Sequence, residues 1–74
     1  MREATRANLK APTIKQALAA IKLTGAKARW VATTQEYRVN IPAPDGTEAT
    51  AYYTNDATDA EMTAKHMMRL LGAR

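Results

Sequence analysis

Apolar residues recur at helical spacing in two segments, one in each half of the chain. The first segment carries a stripe of Ile14, Ala17, Leu18 and Ile21. Because residues three and four apart share one helical face, this spacing predicts an amphipathic helix. Pro12 and Thr13 are favourable residues for its start, and Gly25 is a favourable residue for its end.

The second segment predicts a longer helix near the end of the sequence. Its apolar stripe consists of Ala60, Ala64, Met67, Met68 and Leu71. Thr58 followed three residues later by Glu61 has the spacing of a capping box, and Gly72 follows the stripe as a stop signal. Asp56 and Asp59 would lie near the positive end of the helix dipole, which gives both acids a structural role.

Between these helices, polar and apolar residues alternate with the period of a β-strand. In residues 27–33 one face would hold Ala28, Trp30 and Ala32, which predicts an inward-facing Trp30. In residues 36–41 one face would hold Tyr37, Val39 and Ile41, and its aliphatic residues identify it as the buried face. The link TTQE contains neither Gly nor Pro, so two strands and one long bent strand through Ile41 are both compatible with this region.

The stretch IPAPDGT predicts the turn of a hairpin. Its Pro, Asp and Gly residues preset a turn and supply a position for positive φ, so we expect a return strand over residues 48–54. Small inward residues would let a helix lie close to the sheet, which favours a register with Ala49, Ala51 and Tyr53 inward. The same register places Thr50, Tyr52 and Thr54 on the opposite face.

These elements predict an α+β domain of two layers in the order α-β-β-β-α. Its antiparallel sheet would have two or three strands, and both helices would pack on one sheet face because each has an apolar stripe to bury. We expect a single domain over residues 12–74. Residues 1–11 show no clean periodicity and are predicted to form a flexible basic tail.

Length and cysteine content limit how such a domain is stabilised. A domain of 74 residues buries only about 60% of the surface of its unfolded chain, and a chain without cysteine forms no disulfides. Absence of cysteine suits a reducing compartment, and charged residues interrupt the most apolar segment, residues 14–23. We therefore expect a cytoplasmic protein of modest stability that does not span a membrane.

Charge is unevenly distributed along the chain. Residues 1–38 contain eight basic and two acidic residues, a net charge of +6, whereas residues 39–74 contain three basic and five acidic residues, a net charge of −2. This polarity is typical of a solvated surface, and it also favours an anionic partner for the basic half.

No constellation of residues indicates catalysis, a metal or a cofactor. His66 is the single histidine, and the sequence contains no serine or cysteine. The acids Asp56, Asp59 and Glu61 have the spacing of helix-start residues, and the three glycines are too isolated to form a phosphate-binding loop. We therefore expect a binding protein rather than an enzyme.

The sheet face opposite the helices is the predicted binding surface. In the predicted register it would collect Lys27, Arg29, Val31, Arg38, Asn40, Thr50, Tyr52 and Thr54. Cations on such a face can meet phosphates, while Asn, Arg and Tyr reach base edges or stack on them. The candidate nucleic-acid-binding residues are Lys27, Arg29, Arg38, Asn40, Thr50 and Tyr52, and the expected partner is DNA or RNA.

The run EYRVNIPAPDGTEATAYYTNDATDAEM, about a third of the chain, resembles the hairpin and helix of AP2-like, arm-binding N-terminal domains of tyrosine recombinases. In that family a three-stranded sheet backed by a helix enters the DNA major groove. The resemblance implies base or phosphate contacts for Arg38, Asn40, Thr50 and Tyr52. The order α-β-β-β-α also resembles double-stranded RNA-binding domains, whose last helix begins with lysines where this chain has acids.

A protein-interaction or regulatory module is the alternative function. In a small domain, pairing of an exposed sheet edge with a partner or a second copy would add apolar burial that the monomer lacks. Nucleic-acid binding predicts an affinity that falls steeply with salt, whereas a protein interface predicts salt-tolerant apolar contacts.

Overall fold

A computed structural model describes residues 12–72 of the chain. Helix α1 spans Ile14–Leu23, and strands β1 and β2 span Lys27–Val31 and Glu36–Asn40. A short 3₁₀ helix at Glu48–Thr50 precedes strand β3 at Tyr52–Thr54 and helix α2 at Ala57–Gly72. This is the predicted α-β-β-β-α order of an α+β fold, and the predicted tail, residues 1–11, lies outside the described residues.

The three strands form one antiparallel sheet in the order β1-β2-β3. The link between β1 and β2 is a tight turn, so this region forms two strands and not one bent strand. Gln35 supplies the positive φ, 58°, that the turn requires without a glycine. Since the turn begins at Ala32, β1 ends two residues before its predicted end.

The ends of α1 agree with the sequence prediction. Thr13 accepts a hydrogen bond from the backbone N–H of Gln16, and the Gln16 side chain accepts one from the backbone N–H of Thr13. These two bonds form a capping box. Gly25 follows the helix with φ +98°, and a Cβ there would lie 3.2 Å from the terminal methyl of Met68. Both the backbone angle and the contact therefore favour glycine.

The start of α2 differs from the prediction. Asp56 is the capping residue, because its Oδ1 accepts hydrogen bonds from the backbone N–H groups of Thr58 and Asp59 at 2.9 and 3.2 Å. Thr58 already lies inside the helix, so the predicted capping box of Thr58 and Glu61 is wrong. Aspartate at this position has the additional advantage of a negative charge at the positive helix end.

Both helices pack on one face of the sheet, and they run in the same direction. Gln16 and Ala57 line one end of the groove between them, whereas Leu23 and Met68 line the other end. The buried core consists of Ala17, Ile21, Ala26, Tyr37, Val39, Ala60 and Ala64. Four of these seven residues are alanines, so the helix backbones lie close to the sheet and to each other.

Trp30 packs against this core as predicted, and its ring meets Tyr37 edge to face with 4.9 Å between centroids.

Leu71 does not belong to the buried core. The stripe predicted that Leu71 lies in the shared core, but the residue is half-buried and lines a shallow surface pocket with Ile41 and Leu70. Within the described residues, no helix is long and apolar enough to cross a membrane.

Candidate binding surface on the open sheet face

The surface opposite the helices, here called the open face, is framed by β1, β2 and the loop between β2 and β3. The register aligns Arg29 of β1 with Arg38 of β2, and Arg38 with Tyr53 of β3. These three residues therefore form a row across the sheet. Lys27 is exposed on the same side of β1, two residues before Arg29.

The two adjacent tyrosines have the opposite orientation to the predicted one. Tyr52 pairs with the buried Val39, so it lies on the helix side, where its hydroxyl donates to Asp59 Oδ2 at 2.7 Å. Tyr53 lies on the open face beside Arg38. Residues 48–50 were predicted to belong to the strand but form the 3₁₀ helix. The strand register therefore differs from the predicted one, and a shift of one residue moves every side chain of a strand to the other face.

The Tyr52–Asp59 contact shifts the titration of both groups. The hydrogen bond to Asp59 raises the pKa of Tyr52, because the carboxylate holds the phenol proton. The same bond, with a further one from Thr54, lowers the pKa of Asp59. This pair connects β3 to the first turn of α2 and leaves Tyr52 with a structural contact rather than a place on the open face.

Asn40 is also not available on the open face, because it is only 4% exposed. Its Nδ2 donates to the carbonyl of Thr47 at 2.8 Å, and its Oδ1 accepts from the backbone N–H of Ile41 at 2.8 Å. The Thr50 hydroxyl donates to the same Oδ1 at 2.6 Å. Asn40 thus holds the β2–β3 loop in place, and its predicted exposure is wrong.

Thr50 belongs to the 3₁₀ helix, so the strand position predicted for it is wrong. Its hydroxyl accepts a hydrogen bond from the backbone N–H of Thr47 at 2.9 Å. Ala49, predicted to face inward, is exposed in the same turn. Thr54, predicted on the open face, pairs with Tyr37 and lies on the helix side.

Glu48 lies on the open face, where it makes contacts with Arg38 and Tyr53 that the alternation did not predict. Arg38 Nη2 donates to Glu48 Oε1 at 2.9 Å, and the Tyr53 hydroxyl donates to Glu48 Oε2 at 2.5 Å. Arg38 Nε donates to the Tyr53 oxygen at 3.2 Å, which closes a triangle of three side chains. The loop between β2 and β3 returns over the sheet and brings Glu48 into contact with Arg38.

The triangle stabilises the charged forms of Glu48 and Arg38. The hydrogen bond from Tyr53, followed by that from Arg38, lowers the pKa of Glu48. The contact with Glu48, followed by that with Tyr53, raises the pKa of Arg38. The positive charge of Arg29 also contributes to the lowered pKa of Glu48, which shows that Arg29 acts on the same site.

A second surface lies on the outer side of the helices, here called the helix groove. Leu23 at the end of α1 is 88% exposed and lines this groove with Met68. Lys65 and Arg69 of α2 line its other wall, and Glu61 lies 3.5 Å from Lys65. The helix groove thus combines exposed apolar side chains with the cations Lys65 and Arg69.

Among residues 12–72, no three His, Asp or Glu side chains converge on a position that could hold a metal ion. His66 is exposed on α2.

Comparison with protein families, curated proteins and solved structures found no match to this chain. The candidate site consequently rests on the geometry of the residues described above. The resemblance of residues 36–62 to arm-binding domains stays a prediction.

Proposed function

We propose that this protein binds nucleic acid through the open face, with Lys27, Arg29 and Arg38 directed at phosphates and Tyr53 beside them. The observation that carries this proposal is the direct pairing of Arg29 with Arg38 across neighbouring strands. Side chains at such positions have Cβ atoms about 5 Å apart, and like charges there destabilise a sheet. An anion between the two guanidinium groups would turn this repulsion into attraction.

The aromatic neighbour extends the same argument. Tyr53 is next to Arg38 in the row and is exposed on the open face. A phosphate held by arginines beside an exposed aromatic ring is a common arrangement for a nucleotide strand, because the base stacks on the ring. Compared with the sequence-based set, the proposed residues omit Asn40, Thr50 and Tyr52, whose side chains have contacts inside the fold.

Electrostatic attraction between the open face and a nucleic acid would be confined to the pair Arg29 and Arg38. Lys27, Arg29 and Arg38 contribute three positive charges to this face, and Glu36 and Glu48 contribute two negative ones. A net charge of +1 would not hold a polyanion by general electrostatics alone. Specific contacts at Arg29 and Arg38 must therefore provide most of the affinity, which makes the proposal testable at single residues.

The test measures fluorescence anisotropy of labelled DNA and RNA, single-stranded and duplex, at several salt concentrations. Arg29→Ala should weaken binding and reduce the salt slope on duplex DNA by roughly 0.9, the value for one lost phosphate contact. Lys15→Ala is the matched control, because it removes one exposed cation on α1, on the other side of the molecule.

Two results would contradict the proposal. One is the absence of any anisotropy change at low salt and micromolar protein, conditions under which even nonspecific basic proteins associate with DNA. The other is a loss of affinity in Lys15→Ala equal to that in Arg29→Ala, because this would assign binding to overall charge and not to the open face.

Protein binding is the second candidate function, and the exposure of Leu23 in the helix groove favours it. Pairing through the edge of β1 is less favourable, because Lys27 and Arg29 lie on that strand and charged residues discourage edge pairing. The groove would instead bind an acidic and apolar segment of a partner protein. A second copy of this chain is the other possible occupant.

Leu23→Gln tests this function. Sedimentation velocity of the wild-type protein detects self-association, and a loss of self-association in Leu23→Gln would assign the interface to the groove. Binding of a synthetic acidic amphipathic peptide tests whether the helix groove binds a segment of a partner protein. If the wild-type protein is monomeric and does not bind this peptide, protein binding through the groove is ruled out.

A further inference from the structure

The open face contains its own anion. We propose that the Glu48 carboxylate occupies a phosphate position prepared by Arg38 and Tyr53, and that a phosphate group of the bound ligand displaces it. This inference rests on the proposed nucleic-acid function and assigns a regulatory role to one residue of that site. Glu48 would then set the affinity of the open face by competing with the ligand.

The geometry of the triangle supports this assignment. The two carboxylate oxygens each accept a different hydrogen bond, one from Arg38 Nη2 and one from the Tyr53 hydroxyl. Two non-bridging oxygens of a phosphodiester offer the same pair of acceptors to the same pair of donors. Arginine binds carboxylates and phosphates with similar planar geometry, so one group can replace the other without rearrangement of the donors.

Glu48 is placed for easy displacement. Its side chain is 71% exposed, whereas that of Arg38 is only 19% exposed beneath it. An exposed ion pair of this kind contributes little to stability. The loop that carries Glu48 is held by Asn40 through Thr47, so the Glu48 side chain can rotate away while the loop keeps its position.

Arg29 explains why a phosphate would be preferred over the carboxylate. It lies opposite Arg38, yet among residues 12–72 no carboxylate forms an ion pair with it. Glu48 therefore forms an ion pair with Arg38 and has only a weaker electrostatic interaction with Arg29. A phosphodiester has bridging and non-bridging oxygens on several sides and can contact both guanidinium groups together, which a carboxylate fixed to the loop does not do.

The first measurement compares Glu48→Gln with Glu36→Gln. Both variants remove one negative charge from the open face, but only Glu48 contacts Arg38 and Tyr53. Glutamine keeps the size of glutamate, so the loop should retain its structure. With fluorescein-labelled single-stranded DNA of 20 nucleotides, we expect Glu48→Gln to bind roughly two- to fivefold more tightly than the wild type, the range set by an exposed ion pair. Glu36→Gln should change the affinity by less.

The second measurement uses inorganic phosphate with the wild-type protein and with Glu48→Gln. The Nε–Hε resonance of Arg38 is followed by NMR during titration with sodium phosphate at constant ionic strength, with sodium chloride as the control. Phosphate should shift this resonance and chloride should not. The shift should occur at lower phosphate concentration in Glu48→Gln, because the internal competitor has been removed.

The outcomes separate this inference from the proposed function. If the wild-type protein binds DNA and Glu48→Gln binds no more tightly than Glu36→Gln, the role of Glu48 is refuted while nucleic-acid binding stands. If no variant binds DNA, the proposed function is refuted, and the phosphate titration decides the remaining question. A phosphate-specific shift of Arg38 then supports an anion site, and the absence of a shift overturns it.

Discussion

Asn40→Ala is the substitution with the largest expected effect on the open face, although Asn40 is not exposed there. It removes three hydrogen bonds, to the Thr47 carbonyl, the Ile41 N–H and the Thr50 hydroxyl. At about 1 kcal/mol of net stability per bond, the change should lower the free energy of unfolding by roughly 2–4 kcal/mol. A domain of 74 residues has roughly 4–11 kcal/mol in total, so the variant should be folded but marginal.

Urea denaturation followed by Trp30 fluorescence and by circular dichroism measures this loss. The matched control is Asn55→Ala, the same chemical change at an exposed asparagine between β3 and α2. It should change the free energy of unfolding by less than about 0.5 kcal/mol. Amide hydrogen exchange at Ile41 gives a local reading, because this N–H donates to Asn40. Its protection should fall in Asn40→Ala and remain in Asn55→Ala.

An Asn40→Ala variant that is no less stable than Asn55→Ala would contradict the anchoring role of Asn40. Such a result would mean that the side chain of Asn40 does not hold the loop in solution. Asn40 binds the carbonyl of Thr47, and Glu48 is the next residue in the chain. The position of Glu48 would then need another explanation.

Three further predictions concern the core, the helix start and acid stability. Ile21→Ala should cost about 2–5 kcal/mol of unfolding free energy, because Ile21 is fully buried, and Leu71→Ala should cost clearly less in the same urea titration. Asp56→Ala should cost about 1 kcal/mol, while Thr58→Ala should leave the melting temperature nearly unchanged; the reverse order would restore Thr58 as the cap. The lowered pKa of Glu48 implies stability that is present above its unfolded pKa and lost as pH falls through the lower folded value. Thermal unfolding between about pH 5 and about pH 3 should therefore show a smaller loss of stability in Glu48→Gln than in the wild type, and equal losses would contradict the contact.

The periodic parts of the sequence predicted the fold well, because local spacing carries that information. The two helices, the β-segments and the inward position of Trp30 follow from periods of 3.6 and 2 residues, whereas the division of residues 27–41 into two strands was left open. The cap of α2 was misassigned because Asp56 and Thr58 are both good capping residues. Only the backbone position of the first helical turn distinguishes between them.

The return strand was predicted less well, and the reason is physical. Residues 48–54 alternate in a way that fits a strand, but Glu48–Thr50 form a 3₁₀ helix stabilised by contacts with Asn40. Such contacts join residues ten apart and leave no periodic signal. Because side-chain direction alternates along a strand, this one local error exchanged the two tyrosines and with them part of the candidate site.

The candidate site was also predicted only in part. Lys27, Arg29 and Arg38 were identified correctly as residues of the open face, since their strands have clear alternation. The contacts of Glu48 with Arg38 and Tyr53 could not be predicted, because they depend on how the loop returns over the sheet. An acidic residue in a predicted strand gives no indication that it will accept hydrogen bonds from an arginine on the neighbouring strand.

The anchored loop between β2 and β3 has a consequence for how this fold could diversify. The loop determines which side chain covers Arg38, yet the hydrophobic core lies on the other face of the sheet. Replacement of the loop residues other than Gly46 could therefore change what the sheet recognises with little disturbance of the helices. At Gly46 a Cβ would lie 2.0 Å from the carbonyl oxygen of Ile41. Mutational libraries confined to this loop, with Asn40, Gly46 and Thr50 retained, would be a practical way to obtain small binding proteins with new specificities from this scaffold.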